Sequence, residues 1–372
     1  MHIVVTVSND LATDQRVQRV CSTLALQGFD VLLLGRKLPN SLPFKPSNFK
    51  ARRFSLLFNS GPLFYLALNV RLFFTLLFAP CSIIHANDLD TLLPAWLVAK
   101  IRRKHLVYDT HEYFTGVPEL QLRPGVKAIW KAIELFVFPR LKHVFTVNES
   151  IANLYRNDYG NTQIQVMRNI PPISISLQSS ADFLAFLPPN RFKIILQGNG
   201  INVDRGGEEA VQMMQFLPDS VLIIAGSGDV IPKLKEMVCD LQLQDRVVFF
   251  DRMPYERLLG LTSACDLGLS LDKDSNVNYR FSLPNKIFDY LRAGIPVLAS
   301  NLTEVRRIVD SYGTGWIATD LKPEALAEQI TWIKKNTEAF LQLKSELHLA
   351  SSELCWENEC KPLVLLYNSF RF

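Results

Sequence analysis

The chain has little surplus charge of either sign. Its 372 residues include 40 lysines and arginines against 36 aspartates and glutamates, a formal net charge of +4. A domain that binds nucleic acid usually carries a clear basic surplus on one face, so we expect no nucleic-acid partner. With 48% hydrophobic and 20% charged residues, the composition is that of a folded protein and not of a disordered one. The length suits two domains of ordinary size.

Cysteine is sparse and has no functional spacing. The six cysteines are scattered, and only Cys355 and Cys360 lie close together. No pair has the spacing of a zinc site or a redox motif, so we expect reduced thiols, a cytoplasmic protein and no metal. The stretch NDLD (87–90) has the form of an Asp-x-Asp metal motif. Its place between a strand and a helix predicts instead that Asp88 or Asp90 caps that helix.

Long uninterrupted apolar runs are also missing. The amino-terminal MHIVVTVSND has no basic start and too short an apolar stretch for a signal peptide, so it predicts a strand. The apolar segment 62–80 is interrupted by Asn69 and Arg71, and spanning a bilayer needs about 20 predominantly apolar residues. We therefore expect a helix packed against a sheet. The alternative is an anchor in the membrane interface, with Arg52 and Arg53 supplying positive charge.

Strand-like and helix-like segments alternate along the chain. Short buried runs such as HIVVTV, SIIHA and HLVYDT are each followed by a segment with helical periodicity. This order predicts βαβ units and a parallel sheet in an α/β domain over residues 1–170. Residues 171–192 hold several prolines and serines without a clear period, which indicates a linker. The alternation resumes over 193–335, a predicted second α/β domain, and 336–372 is predicted to be a helical tail that packs on a folded part.

Two doubly wound α/β domains of this kind are expected to face each other across a cleft. Open parallel sheets bind ligands at the carboxyl ends of their strands, so we expect the functional polar residues there. In LPNKIFDYLRAG, a proline and a glycine bound a predicted helix on which Lys286, Asp289 and Tyr290 share a polar face toward the cleft. A cation in the first turn of a helix suits a phosphate, and a carboxylate one turn later suits ribose hydroxyls.

Two glycine-rich loops follow buried strands earlier in the same domain. LQGNGINVDRGG contains Gly198, Asn199 and Arg205, and IIAGSGDV contains Gly226 and Gly228. Glycines let a phosphate approach the backbone, and an arginine can hold diphosphate oxygens through paired hydrogen bonds. Together with the cation and the carboxylate on the predicted helix, these loops predict a nucleoside-diphosphate ligand.

The order of these motifs resembles that of a GT-B glycosyltransferase of the family 4, bacterial group 1 type. LPNKIFDYLRAGIPVLAS carries the most specific part of the resemblance, and HANDLDTLLPAWLVAK, YDTHEYF, TVNESIANLY and VMRNIPP follow the family's order in the first half. The resemblance implies two Rossmann-like domains and hexosyl transfer from a nucleotide-sugar, with retention at the anomeric carbon and without a metal or cofactor. It also implies a glycan or lipid-linked acceptor in polysaccharide biosynthesis, and peripheral contact with the inner face of the membrane.

The resemblance assigns roles to single residues in the second half of the chain. Asp289 matches the carboxylate that binds the donor ribose, and Arg205 matches a basic residue that contacts the diphosphate. Lys286 is expected to be a second phosphate contact, and Arg280 or Arg16 could add a third.

One residue of the first half has an implied catalytic role, and two positions depart from the family pattern. His111 matches the histidine of the acceptor-side domain that lies near the transferred sugar. Phe281 stands where the family often has the first of two carboxylates, and Asn199 stands where it usually has an arginine. Asp272 or Asp274 could replace the missing carboxylate. The departures leave two other functions open: a non-catalytic partner subunit, or a nucleotide-sugar epimerase, which would need a further set of acid and base residues.

Overall fold

Two α/β units make up the chain. The computed structural model describes residues 1–12, 14–39, 41, 43–160, 163–173, 183 and 186–371. Unit 1 consists of Met1–Asn169 and Glu359–Phe372, and unit 2 of Ile170–Asn358. The predicted linker falls largely on 174–182 and 184–185, which lie outside the described residues.

Unit 1 is built on a parallel sheet that has seven strands within the described residues. They are β1 (His2–Asp10), β2 (Asp30–Arg36), β3 (Lys50–Phe54), β4 (Ile83–Asn87), β5 (His105–Thr110), β6 (Val144–Thr146) and β7 (Ile164–Val166). Their order across the sheet is β3-β2-β1-β4-β5-β6-β7. Ile3, Val4 and Val5 of β1 are all buried, because both faces of a parallel sheet are covered and its central strands are apolar throughout.

Helices connect the strands of unit 1. They are α1 (Gln15–Leu26), α2 (Gly61–Phe78), α3 (Leu89–Arg102), α4 (Pro118–Gln121), α5 (Pro124–Val137) and α6 (Glu149–Tyr159), with short 3₁₀ turns at Phe114–Gly116 and Phe138–Arg140. Asp14 begins α1 by accepting a hydrogen bond from the Val17 amide, and Asn148 begins α6 in the same way. Such caps satisfy amides that the first turn of a helix leaves free.

Helix α2 corresponds to the apolar segment 62–80 and is buried on one side only. Phe64, Leu68, Leu72 and Leu76 form its buried stripe. In the described part of the chain, α2 is the one helix whose length and composition would allow it to cross a membrane, which is weak evidence taken alone. The prediction of a helix is confirmed, and its packing leaves an apolar face uncovered.

Unit 2 holds a second parallel sheet, with six strands in its described part. They are β8 (Phe192–Gly198), β9 (Ser220–Gly226), β10 (Val247–Phe250), β11 (Leu267–Ser270), β12 (Val297–Ala299) and β13 (Gly315–Ile317), in the order β10-β9-β8-β11-β12-β13. Ile195 and Ile223 point into one core, while Ile194 and Leu196 point into another on the opposite face. Helices thus cover both faces, and the predicted pair of doubly wound, Rossmann-like domains is confirmed.

The helices of unit 2 and the end of the chain complete the fold. They are α7 (Gly207–Met213), α8 (Ile231–Asp240), α9 (Tyr255–Ser263), α10 (Val277–Arg280), α11 (Asn285–Arg292), α12 (Thr303–Tyr312), α13 (Pro323–Lys335), α14 (Thr337–Glu353), α15 (Trp356–Glu359) and α16 (Lys361–Ser369), with a 3₁₀ turn at Met214–Phe216. The predicted tail is divided between the units: α14 packs on α11 in unit 2, whereas α16 packs on α1 in unit 1.

Candidate functional site

Three loops and two helices of unit 2 meet at the carboxyl edge of its sheet. The strands β9, β8 and β11 are neighbours, so the loops that follow them lie side by side. This is the edge at which open parallel sheets bind ligands. The residues predicted in this unit lie on these loops or on α10 and α11: Gly198, Asn199, Arg205, Gly226, Gly228, Arg280, Lys286 and Asp289.

The glycines serve mainly to pack the first two loops against each other. A Cβ on Gly226 would lie 1.9 Å from the Gly198 carbonyl oxygen, and one on Gly228 would lie 2.0 Å from that of Ile201. Gly198 itself has room, since its nearest neighbours would be 3.8 Å from a Cβ. Asn199 is exposed on the same loop. Of the predicted glycines, Gly198 therefore has the free approach that a phosphate needs.

Arg205 is held against the loop that follows β11. Its Nη1 donates to Oδ1 of Asp272 at 2.7 Å, and its guanidinium lies 4.0 Å from the centre of the Tyr279 ring. Gly206, with a φ of +78°, allows this approach, because a Cβ there would lie 2.3 Å from Cβ of Leu271. The contact fixes the direction of the arginine at the edge of the sheet.

Lys286 faces the same carboxylate from the first turn of α11. Its Nζ lies 3.7 Å from Oδ2 of Asp272, and only 12% of its side chain is exposed. Burial lowers the pKa of Lys286 and the Arg205 charge adds to this, while the Asp272 charge opposes it. Asp272 was a candidate to replace the missing carboxylate, but both of its oxygens face protein groups: Arg205 on one side, and Ser270 and Lys286 on the other.

The other two cations proposed for phosphate are each paired with a carboxylate. Arg280 pairs with Asp274 at 2.9 Å, and both side chains are about half exposed. Arg16 is buried in unit 1, where Nε and Nη2 bind the Asp109 carboxylate and Nη1 donates to the Met167 carbonyl. The proposal for Arg16 is therefore wrong, since these donors already hold the core of unit 1 together. Arg280 stays a prediction.

Asp289 lies in a polar pocket that the sequence indicated only in part. Its Oδ1 accepts a 2.5 Å hydrogen bond from the Tyr255 hydroxyl, and its Oδ2 accepts one from Gln197 Nε2 at 3.3 Å. Thr262 donates in turn to Oε1 of Gln197 at 2.6 Å. No local pattern predicted these three partners, because they come from β8 and α9. Gln197 offers a signal, since it is a buried polar residue that follows three apolar ones in β8.

Tyr290 does not lie on the polar face of α11. It is fully buried, and its hydroxyl donates to the Leu269 carbonyl at 2.9 Å. Its ring packs against Gly268, where a Cβ would lie 2.4 Å away. The prediction that Tyr290 faces a cleft is wrong, because the tyrosine anchors the helix to β11.

His111 lies in unit 1 between two carboxylates. Its Nδ1 is 3.2 Å from Oδ2 of Asp88, and its Nε2 is 3.8 Å from Oδ2 of Asp109 and 3.2 Å from Oδ1 of Asn87. Burial lowers the pKa of His111, but Asp88 and Asp109 outweigh it and raise the pKa to about 9. The side chain is 19% exposed, so a ligand can reach an imidazole that is protonated at neutral pH.

The stretch that resembles a metal motif supports this histidine instead. Asp88 occupies the cap position of α3 but makes no capping hydrogen bond there; its Oδ1 accepts the His111 amide at 2.9 Å. Burial and the Asp88 charge raise the pKa of Asp90 to about 7. The prediction of an ordinary side-chain cap is therefore wrong for Asp88. Within the described ranges, no group of three or more histidines, cysteines or acidic residues could hold a metal ion.

Comparisons with known proteins match both halves of the chain to glycosyltransferase families. Residues 14–170 match the family described as Glycosyltransferase Family 4, and residues 189–346 match the family described as Glycosyl transferases group 1. A curated relative is the chitobiosyldiphosphodolichol beta-mannosyltransferase of Candida glabrata, 24% identical over 306 residues. That match covers 72% of this chain and 65% of the relative, so this chain spans less than two thirds of the relative's length.

Solved structures share the whole fold at low sequence identity. Sucrose-phosphate synthase from Thermosynechococcus elongatus is 17% identical with a TM-score of 0.80, and the match covers 100% of this chain and 99% of that one. HepE from Anabaena, solved in complex with UDP, is 17% identical with a TM-score of 0.76 over 99% of this chain and 100% of that one. At these identities the likeness shows the fold alone, and it extends over both halves of the chain.

Proposed function

The chain belongs to the group 1 glycosyltransferases of the GT-B fold, and from this we propose that it moves a hexose from a nucleoside-diphosphate sugar to a glycan or lipid-linked glycan. One observation carries the proposal: Arg205 and Lys286 both face Asp272 at the carboxyl edge of the unit 2 sheet, and Asp289 lies on the helix that carries Lys286. Two cations suit a diphosphate, and a carboxylate nearby suits a ribose.

The cations have a direct role in the proposed transfer. Breaking the bond between the sugar and the diphosphate leaves negative charge on the phosphate oxygens. Arg205 and Lys286 stabilise that charge because they are fixed before the reaction and do not need to reorganise. The Asp289 carboxylate accepts hydrogen bonds from the ribose hydroxyls. Tyr255 and Gln197 hold this carboxylate in place.

His111 takes the catalytic role in the proposal as a hydrogen-bond donor. Since Asp88 and Asp109 raise its pKa to about 9, it is protonated at neutral pH and is a poor general base. It orients a hydroxyl of the transferred sugar or stabilises developing negative charge. The departing phosphate takes the proton of the acceptor, so transfer proceeds with retention and without a metal or cofactor.

A membrane surface is proposed as a further partner, because of the uncovered face of α2. Five apolar side chains at helical spacing form a stripe on this face, and each is about half exposed or more: Leu63, Leu66, Val70, Phe74 and Phe78. Arg102, at the end of α3, donates hydrogen bonds to the carbonyls of Leu76 and Ala79 at the end of α2. Lys100, Arg103 and Lys104 lie at the same end of α3. An apolar stripe beside clustered cations suits an anionic bilayer. Of the predicted basic residues, Arg52 is exposed.

Vesicle binding tests this partner. Leu66→Ser with Phe74→Ser should weaken co-sedimentation with phosphatidylglycerol vesicles by about tenfold, because two exposed apolar side chains no longer enter the interface. Leu349→Ser changes a leucine of similar exposure on α14 and should leave binding as in wild type. Equal binding by all three proteins would contradict the membrane contact. With this partner we also propose that the protein acts in the cytoplasm, at the inner face of the membrane.

Turnover separates the proposed function from its alternatives. A panel of nucleotide-sugars is incubated with the protein and a glycan or lipid-linked acceptor, and release of nucleoside diphosphate is measured. Release with a new glycosidic bond supports transfer. Binding without release would favour a non-catalytic partner subunit, which the uncharged Phe281 and Asn199 keep open. A changed sugar that stays on its nucleotide would favour an epimerase.

A further inference from the structure

Asp272 is a buried carboxylate between the two cations of the diphosphate site. Its side chain has no exposed surface, and it lies 2.7 Å from Arg205 Nη1 and 3.7 Å from Lys286 Nζ. We propose that Asp272 is a positioning residue, which keeps Arg205 aimed at the donor diphosphate and keeps Lys286 protonated beside it. This inference rests on the proposed function, since it concerns the same site.

The backbone around Asp272 leaves it little freedom. The Lys273 amide donates to the Asp204 carbonyl at 2.9 Å, which joins the loop after β11 to the loop that carries Arg205. The Ser270 hydroxyl donates to Oδ2 of Asp272 at 3.3 Å. Gly206 closes the gap between the two loops, as its contact with Leu271 shows. The carboxylate is therefore fixed by the fold before any ligand arrives.

Asp272 holds Arg205 through Nη1, and the other donors of the guanidinium are left for a ligand. Nη1 is bound to Asp272, and the plane lies over the Tyr279 ring at 4.0 Å. Nε is buried without a hydrogen-bond partner among the described residues. Because 27% of the side chain is exposed, a phosphate oxygen can approach an arginine whose direction is already set.

The charges explain why a carboxylate serves at this position. Two cations face one anion, so the site keeps an excess of positive charge for the diphosphate. Burial lowers the pKa of Lys286 and Arg205 adds to this, so Asp272 is the neighbour that favours the charged lysine. Asp289, on the helix that carries Lys286, accepts hydrogen bonds from Tyr255 and Gln197. Without the Asp272 charge, Lys286 loses its proton at a lower pH.

Asp272→Asn tests the proposal, because it keeps the shape of the side chain and removes its charge. Affinities for UDP, GDP, ADP and inorganic pyrophosphate are measured by calorimetry on the full chain from about pH 6.5 to about pH 9. We expect the variant to bind about tenfold more weakly than wild type at the upper end and to recover as the pH falls, since Lys286 regains its proton. Asp272→Asn with Lys286→Arg should lose this pH dependence, because a guanidinium stays charged throughout. Asp310→Asn removes an exposed carboxylate on α12 of the same unit and should bind as wild type does.

Each remaining outcome counts against the proposal in a distinct way. Equal weakening at every pH would overturn the role of Asp272 in keeping Lys286 protonated. Unchanged affinity in Asp272→Asn would overturn this inference and leave the proposed function intact. Failure of wild type to bind any of the four probes would overturn both. If Asp272→Asn does not fold, Asp272→Ser removes the same charge with a smaller side chain and should shift the pH profile in the same direction. An unshifted profile in that variant would contradict the proposal.

Discussion

His111 has two carboxylate neighbours within the same unit, and their charges define its chemistry. Asp88 lies 3.2 Å and Asp109 3.8 Å from the imidazole nitrogens. Arg16 neutralises Asp109 with two hydrogen bonds, so that carboxylate is held ionised in a buried place. Burial works against the charged form, but Arg16 and His111 hold the pKa of Asp109 well below its usual range. A protonated His111 and an ionised Asp109 therefore support each other.

This coupling predicts a loss of stability at high pH. The pKa of His111 rises from 6.5 to about 9 in the folded chain, so its stabilisation is complete below about pH 6.5 and is lost as the pH rises through 9. His111→Gln should remove that dependence, which amounts to about 3.5 kcal/mol over the full titration, since the pKa rises from 6.5 to about 9 at about 1.4 kcal/mol per pKa unit. The measurement is urea unfolding of both proteins at either end of this range. A wild-type difference no larger than that of the variant would show that the carboxylates do not hold the proton.

At this scale the sequence indicated candidate ligand contacts but not the residues that support them. Arg205, Lys286 and Asp289 are candidates because their spacing on loops and a helix is local. Asp272 and Tyr255 hold them from other elements, so no local pattern indicated the contacts. These supports depend on which strands become neighbours, and only the folded chain decides that.

Gly206 links the loop after β8 to the loop after β11. Its φ is +78°, and an added Cβ would lie 2.7 Å from the Leu271 carbonyl oxygen. Gly294 has a similar φ of +73° but nothing within 4 Å of an added Cβ. Comparing the two positions therefore separates the cost of backbone strain at positive φ from the cost of a steric clash with an added Cβ.

Replacing each glycine by alanine tests the packing of the element. Gly294→Ala should cost about 1 kcal/mol of stability, because an L-residue is strained at positive φ. Gly206→Ala should cost about 2–4 kcal/mol and also weaken nucleoside-diphosphate binding, since the collision displaces Arg205. Thermal unfolding and calorimetry on the two variants give the comparison. Similar losses in both would mean that the approach of the two loops is not tight.

The elements that sequence reasoning found are those with buried apolar runs. β1, β5, β8 and β9 are apolar because helices cover both faces of the central strands. β3 (KARRF) escaped prediction, because it is short, charged and at the edge of its sheet. β7 and β13 are edge strands of three residues each, which carry too few side chains to show a period.

The end of the chain returns to unit 1 after completing unit 2. Helix α16 packs on α1, and the hydroxyl of Tyr367 hydrogen-bonds Nδ1 of the buried His85 at 2.6 Å. Phe29 and Phe370 pack edge-on against the Tyr367 ring. The last turns of the sequence are therefore part of the core of the first unit.

Tyr367→Phe should destabilise unit 1 by about 1–2 kcal/mol, because it leaves a buried imidazole nitrogen without its hydrogen bond. Tyr312→Phe is the matched control, since its hydroxyl makes an exposed hydrogen bond to Glu353 and should cost less than about 0.5 kcal/mol. Chemical unfolding followed by tryptophan fluorescence measures both. Equal costs would indicate that the buried pair adds nothing to the stability of the fold.

The organisation of the whole molecule was largely predictable, with one exception. Alternating patterns predicted two parallel α/β sheets, and both have the doubly wound order. The tail was predicted as one segment, but α14 and α16 belong to different units. Helical periodicity shows which face a helix buries and does not identify the surface that covers it, so the return to unit 1 could not be predicted.

We propose that unit 2 binds a nucleoside diphosphate through Arg205, Lys286 and Asp289. The most direct test is calorimetry of wild type, Arg205→Ala and Asp289→Ala against UDP, GDP, ADP and dTDP. We predict that at least one ligand binds wild type and that each variant loses about tenfold or more in affinity, because a charged hydrogen-bonding partner is removed. Absence of binding by wild type, or equal binding by the variants, would contradict the account.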